Sequence, residues 1–118
     1  MKQYRRSDRL QEQILRELAT LLDQELHEHF KGLVSFTRVR LSDDLRNATV
    51  YYSYLGDMSV KDEIAEYLER ETGRIRSLVG KGLRVRHIPE FIFKYDPSIE
   101  DGIRMEELFK QIENDRAK

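Results

Sequence analysis

The sequence contains no cysteine and only 2 prolines among its 118 residues. Without cysteine the chain can form no disulfide, no thiolate nucleophile and no thiolate metal site. It also lacks an apolar run near the roughly 20 residues of a membrane-spanning helix, and the opening MKQYRRSDRL has no apolar signal-peptide core. We therefore expect a cytoplasmic protein with no membrane segment and no thiol chemistry.

A large excess of one charge sign is also missing, because the formal net charge is −1. The charges are nevertheless unevenly spread along the chain. Residues 1–9 carry four bases and one acid, and residues 70–86 carry six bases and one acid. By contrast, residues 10–30 and 57–69 each carry five acids and one base. Local concentrations of positive charge are typical of phosphate-binding surfaces, although most charged runs are only solvated helix faces.

The first half of the chain is predicted to form a helix followed by a β-hairpin. Apolar residues recur with helical spacing from Leu10 to Leu26, and Ser7 is a suitable N-cap. The segments VSFTRVRLS and NATVYYSYL are rich in β-branched and aromatic residues and flank a turn at Asp43–Arg46. The residues that share one face of the second strand are Ala48, Val50, Tyr52 and Tyr54. Tyr51 points to the other face, where it could stack on an unpaired base, while most other aromatic residues fill the core.

The second half is predicted to add a long helix, a third strand and a short amphipathic helix. The long helix begins around Ser59, and Gly73 inside it indicates a kink or a close approach of another group. LRVRHIPEFIFKYD supplies the third strand, interrupted at Pro89. The last helix is marked by Ile99, Ile103, Leu108 and Ile112. This order predicts an α+β fold in which helices cover one face of a three-stranded sheet.

Four of these segments, taken in order, resemble a known family. They are RSDRLQEQILREL, VRLSDDLRNATVYYS, GRIRSLVGKGLRVRHIPEFIFKYDPS and GIRMEELF. The chain resembles the ribosome-binding factor A family of bacterial small-subunit assembly factors over nearly its whole length. The resemblance implies a single type II KH-like domain with a basic N-terminal arm over residues 1–97, and a short amphipathic helix or tail over residues 98–118. It also implies that an Ala-x-Gly kink, here Glu71-Thr72-Gly73, replaces the Gly-x-x-Gly loop of other KH domains.

Cations recur at spacings that would align them on single faces. The row at helical spacing after residue 69 comprises Arg70, Arg74, Ser77 and Lys81. Arg84 and Arg86 alternate with apolar residues and would share one face of the third strand, as Arg38 and Arg40 would on the first. Arginine offers a planar fork that matches phosphate oxygens two at a time. The candidate RNA-binding residues are Arg5, Arg6, Arg9, Arg38, Arg40, Arg74, Arg76, Lys81, Arg84 and Arg86.

Catalytic and metal sites are not indicated. Asp23, His27 and His29 could form a metal group, but ligands of this kind near a helix end are far more often solvent-exposed residues. The segment GRIRSLVGKG lacks the glycine spacing of a Walker loop, and Gly82 stands where Ser or Thr is required. No nucleophile and base are paired, so we expect neither an enzyme nor a cofactor.

The resemblance implies a monomeric assembly factor that binds the small (30S) ribosomal subunit. It implies assistance to late 16S ribosomal RNA maturation and processing, support of growth in the cold, and assembly GTPases as possible partners. One alternative is a KH-like module that mainly engages a protein, with its cations pairing acidic groups there. A weaker alternative is dimerisation through residues 99–112.

Overall fold

A computed structural model describes residues 6–116 of the chain, including the side chains of residues 6–98 and 106–114. It confirms the expected α+β fold and the α-β-β-α-α-β order of a type II KH-like domain. The helices and strands are α1 (Arg6–Gln24), β1 (Leu33–Leu41), β2 (Asn47–Leu55), α2 (Lys61–Arg70), α3 (Thr72–Gly80), β3 (Glu90–Tyr95) and α4 (Ser98–Arg116). Two 3-10 turns, Leu26–His29 and Met58–Val60, precede β1 and α2. Among the described residues, no helix is long and apolar enough to cross a membrane.

The three strands form one mixed sheet in the order β1-β2-β3. β2 lies in the centre, antiparallel to β1 and parallel to β3, with Asn47 opposite Glu90 at the start of the parallel pair. A bulge at Thr37 shifts the register between β1 and β2. The alternation predicted for β2 is confirmed, because its four inward residues are almost completely buried: Ala48, Val50, Tyr52 and Tyr54.

Three helices cover the inner face of this sheet. Ile14 and Leu18 of α1 are fully buried, as are Leu68 of α2 and Ile75 of α3, and all of them belong to one core with the inward residues of the sheet. The opposite face of the sheet carries most of its polar and charged side chains. The protein is therefore a layer of helices on a sheet whose second face is available to solvent over much of its area.

The long second helix is interrupted, as expected, and the break at Glu71 falls within the predicted Glu71-Thr72-Gly73 triplet, two residues before the glycine. Glu71 separates α2 from α3 and has φ −94° and ψ 7°. The Thr72 hydroxyl donates to the carbonyl oxygens of Leu68 and Glu69 at 2.7 and 2.9 Å, which satisfies two acceptors at the end of α2. Gly73 follows in the first turn of α3, and a Cβ there would meet nothing within 4 Å. The expectation of a close approach at Gly73 is therefore wrong.

The third strand is shorter than its sequence pattern predicts. It begins at Glu90, and residues 83–89 form an irregular segment, so the placement of Arg84 and Arg86 on a strand is wrong. Pro89 has no N–H to offer a ladder of hydrogen bonds, and it ends the irregular segment in a fully buried position. The carbonyl oxygens of Ile88 and Pro89 bond to an arginine of α3 instead of to a neighbouring strand.

The last helix, α4, lies within the segment of residues 98–118 expected to form a C-terminal helix or tail, and its start is anchored to the sheet. The Asp96 carboxylate accepts from the N–H of Ser98 at 3.0 Å and from the Thr37 hydroxyl at 2.9 Å. The Asp96 N–H donates to the Tyr52 carbonyl oxygen at 2.6 Å. These bonds fix the junction between β3 and α4.

The two glycines of α3 should respond oppositely to alanine. Gly73→Ala should raise the free energy of unfolding by about 0.5–1 kcal/mol, because alanine favours the helix and nothing obstructs its methyl group. Gly80→Ala should lower it by about 1 kcal/mol, because the Ile88 side chain occupies the space of the new Cβ. Denaturant unfolding of both variants tests this, and a loss of stability in Gly73→Ala would contradict the open environment of that residue.

The free energy of unfolding should also depend on pH through the ionisation of Asp96. Hydrogen bonds, first those to Ser98 and then that to Thr37, lower the pKa of Asp96 below its usual 3.8. A carboxylate with a lowered pKa stabilises the fold above its unfolded pKa, and this contribution is lost as the pH falls through the folded pKa. Asp96→Asn should therefore cost about 0.5–1 kcal/mol near pH 7, allowing for solvent screening, and progressively less as the pH falls through the folded pKa of Asp96. Unfolding curves at several pH values test this, and an equal difference at pH 7 and pH 2 would contradict it.

Candidate nucleic-acid interface

A groove of about 860 Å³ lies where three separate parts of the chain meet. One wall is the first turns of α1, the second is the β1–β2 turn, and the third is the irregular segment before β3. The residues that line this basic groove are Arg6, Arg9, Leu10, Gln13, Asp44, Leu45, Arg46, Arg84, Val85, Arg86 and His87. The groove thus brings together four of the predicted RNA-binding arginines and adds a fifth, Arg46.

The irregular segment presents its arginines to the groove by alternation. Leu83 is buried and Val85 half-buried against the core, whereas Arg84 and Arg86 are exposed. The predicted side-chain directions are therefore correct although the predicted strand is not. Anchoring by the two apolar residues keeps both guanidinium groups on the solvent side.

The β1–β2 turn is held rigid by Asp44. Its carboxylate accepts from the Ser42 hydroxyl at 2.7 Å and from the Arg46 N–H at 3.1 Å, and these bonds lower the pKa of Asp44 in that order of importance. Leu45 has φ 61°, in the left-handed region that only a tight turn normally requires. The Arg46 carbonyl oxygen accepts from the Glu90 N–H at 2.8 Å, so the turn and the irregular segment are tied together.

The electrostatic character of the basic groove is strongly positive. Its lining holds five arginines and one acid, Asp44, whose oxygen already accepts two hydrogen bonds. Over the described residues 6–116, no carboxylate lies within 4.0 Å of a guanidinium nitrogen of Arg84 or Arg86. A concave surface with cations of this kind attracts phosphate groups and offers them bidentate donors.

Other predicted RNA-binding residues lie elsewhere. Arg38 and Arg40 are exposed on β1, on the face of the sheet away from the core. Arg74 pairs with Glu25 at 3.1 Å and with Glu71 at 3.3 Å. Of the remaining predicted RNA-binding residues, Lys81 is exposed just after α3 and Arg76 is partly buried. Arg5 lies outside the described residues.

Arg76 contributes to the fold. Its guanidinium group donates to the Pro89 carbonyl oxygen at 2.8 Å and to the Ile88 carbonyl oxygen at 2.5 Å. It also lies 3.5 Å from the Glu90 carboxylate. One side chain of α3 thus satisfies the backbone acceptors of the irregular segment and holds that wall of the basic groove in place.

The interhelical kink does not belong to the basic groove. Thr72 lines a different pocket of about 330 Å³ between α2 and β3, together with Tyr52, Phe91 and Phe93 among others. No basic residue lines this pocket in the part of the chain that the structure describes. The carboxylate of Glu71 lies beside Arg74, so the acidic side chain at the kink has a basic partner.

The groove residues that sequence reasoning missed are Arg46 and His87. Arg46 was assigned only to a turn, and its proximity to the irregular segment depends on the pairing of Asn47 with Glu90. Nothing in the local pattern indicates that register. No cluster of three potential metal ligands occurs among the described residues, and His29 instead stacks on Tyr67 at 5.1 Å between ring centroids.

Comparisons with known proteins agree on one family. Residues 6–109 match the family model of ribosome-binding factor A. A protein of that name from Desulfitobacterium hafniense is 41% identical over 113 residues, which are 96% of this chain and 90% of the relative.

Solved structures show the same fold. A candidate ribosome binding factor A from Thermotoga maritima, determined by NMR, has 36% identity and a TM-score of 0.65 over 80% of this chain and 90% of its own. A homology model of the Thermus thermophilus ribosome binding factor A, fitted into a cryo-EM map of a 30S complex, has 22% identity and a TM-score of 0.62. That match covers 75% of this chain and 93% of the other.

Alanine substitution of three arginines should change the free energy of unfolding by different amounts. Arg76→Ala should lower the free energy of unfolding by about 1–3 kcal/mol, because it leaves two partly buried carbonyl oxygens without their donor. Arg74→Ala and Arg84→Ala should each change it by less than about 0.5 kcal/mol, since their side chains are exposed. Denaturant unfolding measures all three, and equal stability of Arg76→Ala and wild type would contradict the structural role of Arg76.

Proposed function

Because this chain belongs to the ribosome-binding factor A family, we propose that it binds the small (30S) ribosomal subunit by placing its basic groove on 16S ribosomal RNA. The family is one of ribosome-binding factors, and no enzyme family is indicated. We propose that the protein acts by binding, in the cytoplasm and as a monomer. The observation that carries the proposal is the convergence of five arginines from three distant segments on one groove.

The basic groove suits a ribose-phosphate backbone. Its arginines offer fork-shaped donors to phosphate oxygens, and its volume of about 860 Å³ leaves room for a strand between the walls. Contacts to phosphate determine affinity and orientation but read little sequence. Recognition of one site on the subunit then comes from the shape of the folded RNA, which suits a factor that binds a large ribonucleoprotein particle.

The proposed effect on 16S RNA is a shift among its conformations. A protein biases such an equilibrium only by its difference in affinity between the states. We propose that this chain binds an immature arrangement more tightly, and that this holds the RNA ready for late maturation and end processing. Escape from misfolded arrangements slows as temperature falls, because the barriers are unchanged while thermal energy decreases. A factor of this kind therefore supports growth in the cold.

Release follows from the same thermodynamics. Completion of the subunit, or a GTPase that acts during assembly, removes the protein by favouring the RNA arrangement that it binds weakly.

Affinity for 30S subunits at several salt concentrations tests the proposal. Arg84→Ala/Arg86→Ala should weaken binding to immature subunits at least tenfold at physiological salt. The slope of log affinity against log salt should fall by about 1.5, since each phosphate contact contributes roughly 0.7–0.9. Mature subunits should bind wild type more weakly than immature ones.

The matched control is Arg16→Ala, which removes an exposed cation from α1 outside the basic groove. It should bind like wild type within about twofold. If the double variant binds immature subunits like wild type while remaining folded, the groove is not the contact surface. A salt slope near zero for wild type would instead favour a protein surface as the target.

A further inference from the structure

The outer face of the sheet carries a second cationic surface with an aromatic centre. The strand register aligns Arg38 of β1, Tyr51 of β2 and Lys94 of β3 in one row across the sheet. The adjacent row on the same face aligns another three residues. We call these two rows the sheet platform, which comprises Arg38, Tyr51, Lys94, Arg40, Thr49 and Ile92.

The sheet platform is accessible. Its three cations are exposed, and Ile92 keeps 52% of its surface in contact with solvent. Tyr51 is half-buried at the centre of the platform, whereas its neighbour Tyr52 is buried on the core side. An apolar and aromatic surface ringed by cations thus remains uncovered on the face opposite α1, α2 and α3.

The centre of the platform is already built for stacking. The Arg38 guanidinium carbon lies 4.1 Å from the centroid of the Tyr51 ring. The guanidinium group thus lies over the face of the ring, as in a cation–π contact. A nucleic-acid base stacks equally well on a tyrosine ring or on a guanidinium plane, so a base can extend this stack or replace its outer member.

The acids next to the platform do not cancel its charge. Glu90 lies near Arg76 on the helix side, at 3.5 Å. The Asp96 carboxylate accepts from Thr37 and Ser98. The Glu90 charge is offset by Arg76, whereas the Asp96 carboxylate keeps its charge and lies close enough to Arg38 for that cation to help lower its pKa. Three cations against this one carboxylate still leave the platform positive, so it attracts an anion.

We propose that the sheet platform is a second RNA-binding site that takes an unpaired segment, with a base stacked on the Arg38–Tyr51 pair and phosphates at Arg40 and Lys94. Residues two apart on a strand lie about 6.7 Å apart, and adjacent strands about 4.8 Å. The Cα atoms of Arg40 and Lys94, which lie on the two outer strands and in adjacent rows, are therefore roughly 12 Å apart, with the Arg38–Tyr51 pair beside the line between them. A duplex keeps its bases stacked inside and cannot offer one to Tyr51.

The platform and the basic groove share no residue, because the groove lies beside α1 at the end of the sheet where β1 turns into β2, and the platform lies on the outer face of the strands. One molecule can therefore hold two RNA segments at once. This inference does not depend on the small subunit being the target, since it concerns the class of nucleic acid that the platform binds.

Binding of an octauridylate and of an RNA duplex of the same length tests the proposal. Calorimetry should give two octauridylates per wild-type molecule. It should give one for the groove variant Arg84→Ala/Arg86→Ala and one for the platform variant Tyr51→Leu/Lys94→Ala. On the groove variant, Tyr51→Leu should weaken octauridylate binding about tenfold, because leucine keeps the apolar contact but loses the stacking ring. The duplex should bind the groove variant at least tenfold more weakly than the octauridylate.

Arg16→Ala is again the control and should keep two sites. Lys94→Ala alone changes only an exposed side chain, so it keeps the test valid if Tyr51→Leu disturbs the fold. When added to the groove variant, Lys94→Ala should reduce the affinity for octauridylate and should make that affinity less dependent on salt. One site on wild type, or unchanged affinity in both single platform variants, would overturn the proposal. Equal competition by an octaglutamate peptide would also overturn it, because it would show a site that reads charge alone.

Discussion

The parallel pairing of β3 with β2 is the constraint on which both candidate binding surfaces depend. By placing Asn47 beside Glu90, it brings the β1–β2 turn against the irregular segment that follows α3. The bond from the Glu90 N–H to the Arg46 carbonyl oxygen then joins two walls of the basic groove. The same register aligns Tyr51 with Lys94 on the outer face. A slip of one residue would turn every β3 side chain to the other face and dismantle both surfaces.

Cations close together in sequence have different tasks because their surroundings differ. Arg76 faces a stretch of backbone that cannot join a sheet, and its guanidinium group satisfies the carbonyl oxygens there. Arg74 lies near two glutamates and pairs with both. Arg84 projects from a segment anchored by apolar neighbours, and among the described residues it pairs with no carboxylate. Part of the excess of positive charge in residues 70–86 thus holds the chain together, and only the remainder is available for the RNA binding that we propose.

The sequence predicted those features of the fold that depend only on residues close together in the chain, such as single helices and strands and their buried faces. Alternation revealed the inward face of β2, and helical spacing revealed α1, because each pattern repeats within a single element. It also predicted an interrupted helix, although Thr72 rather than Gly73 supplies the bonds at the break. The groove was beyond this reasoning because it depends on a pairing between strands that are separated by two helices. Arg46 therefore looked like an ordinary turn residue until β3 was placed beside it.

Two RNA contact surfaces, one at the end of the sheet and one on its outer face, would give a small rigid domain a means of acting on a large RNA. Once one segment is bound, the second binds at an effective concentration that depends on how the RNA joins the two. RNA conformations that hold both segments within reach are then favoured over those that hold only one. The resulting bias is the difference in binding free energy between these conformations. It requires no conformational change in the protein, because the β2–β3 pairing already fixes the distance between the two surfaces.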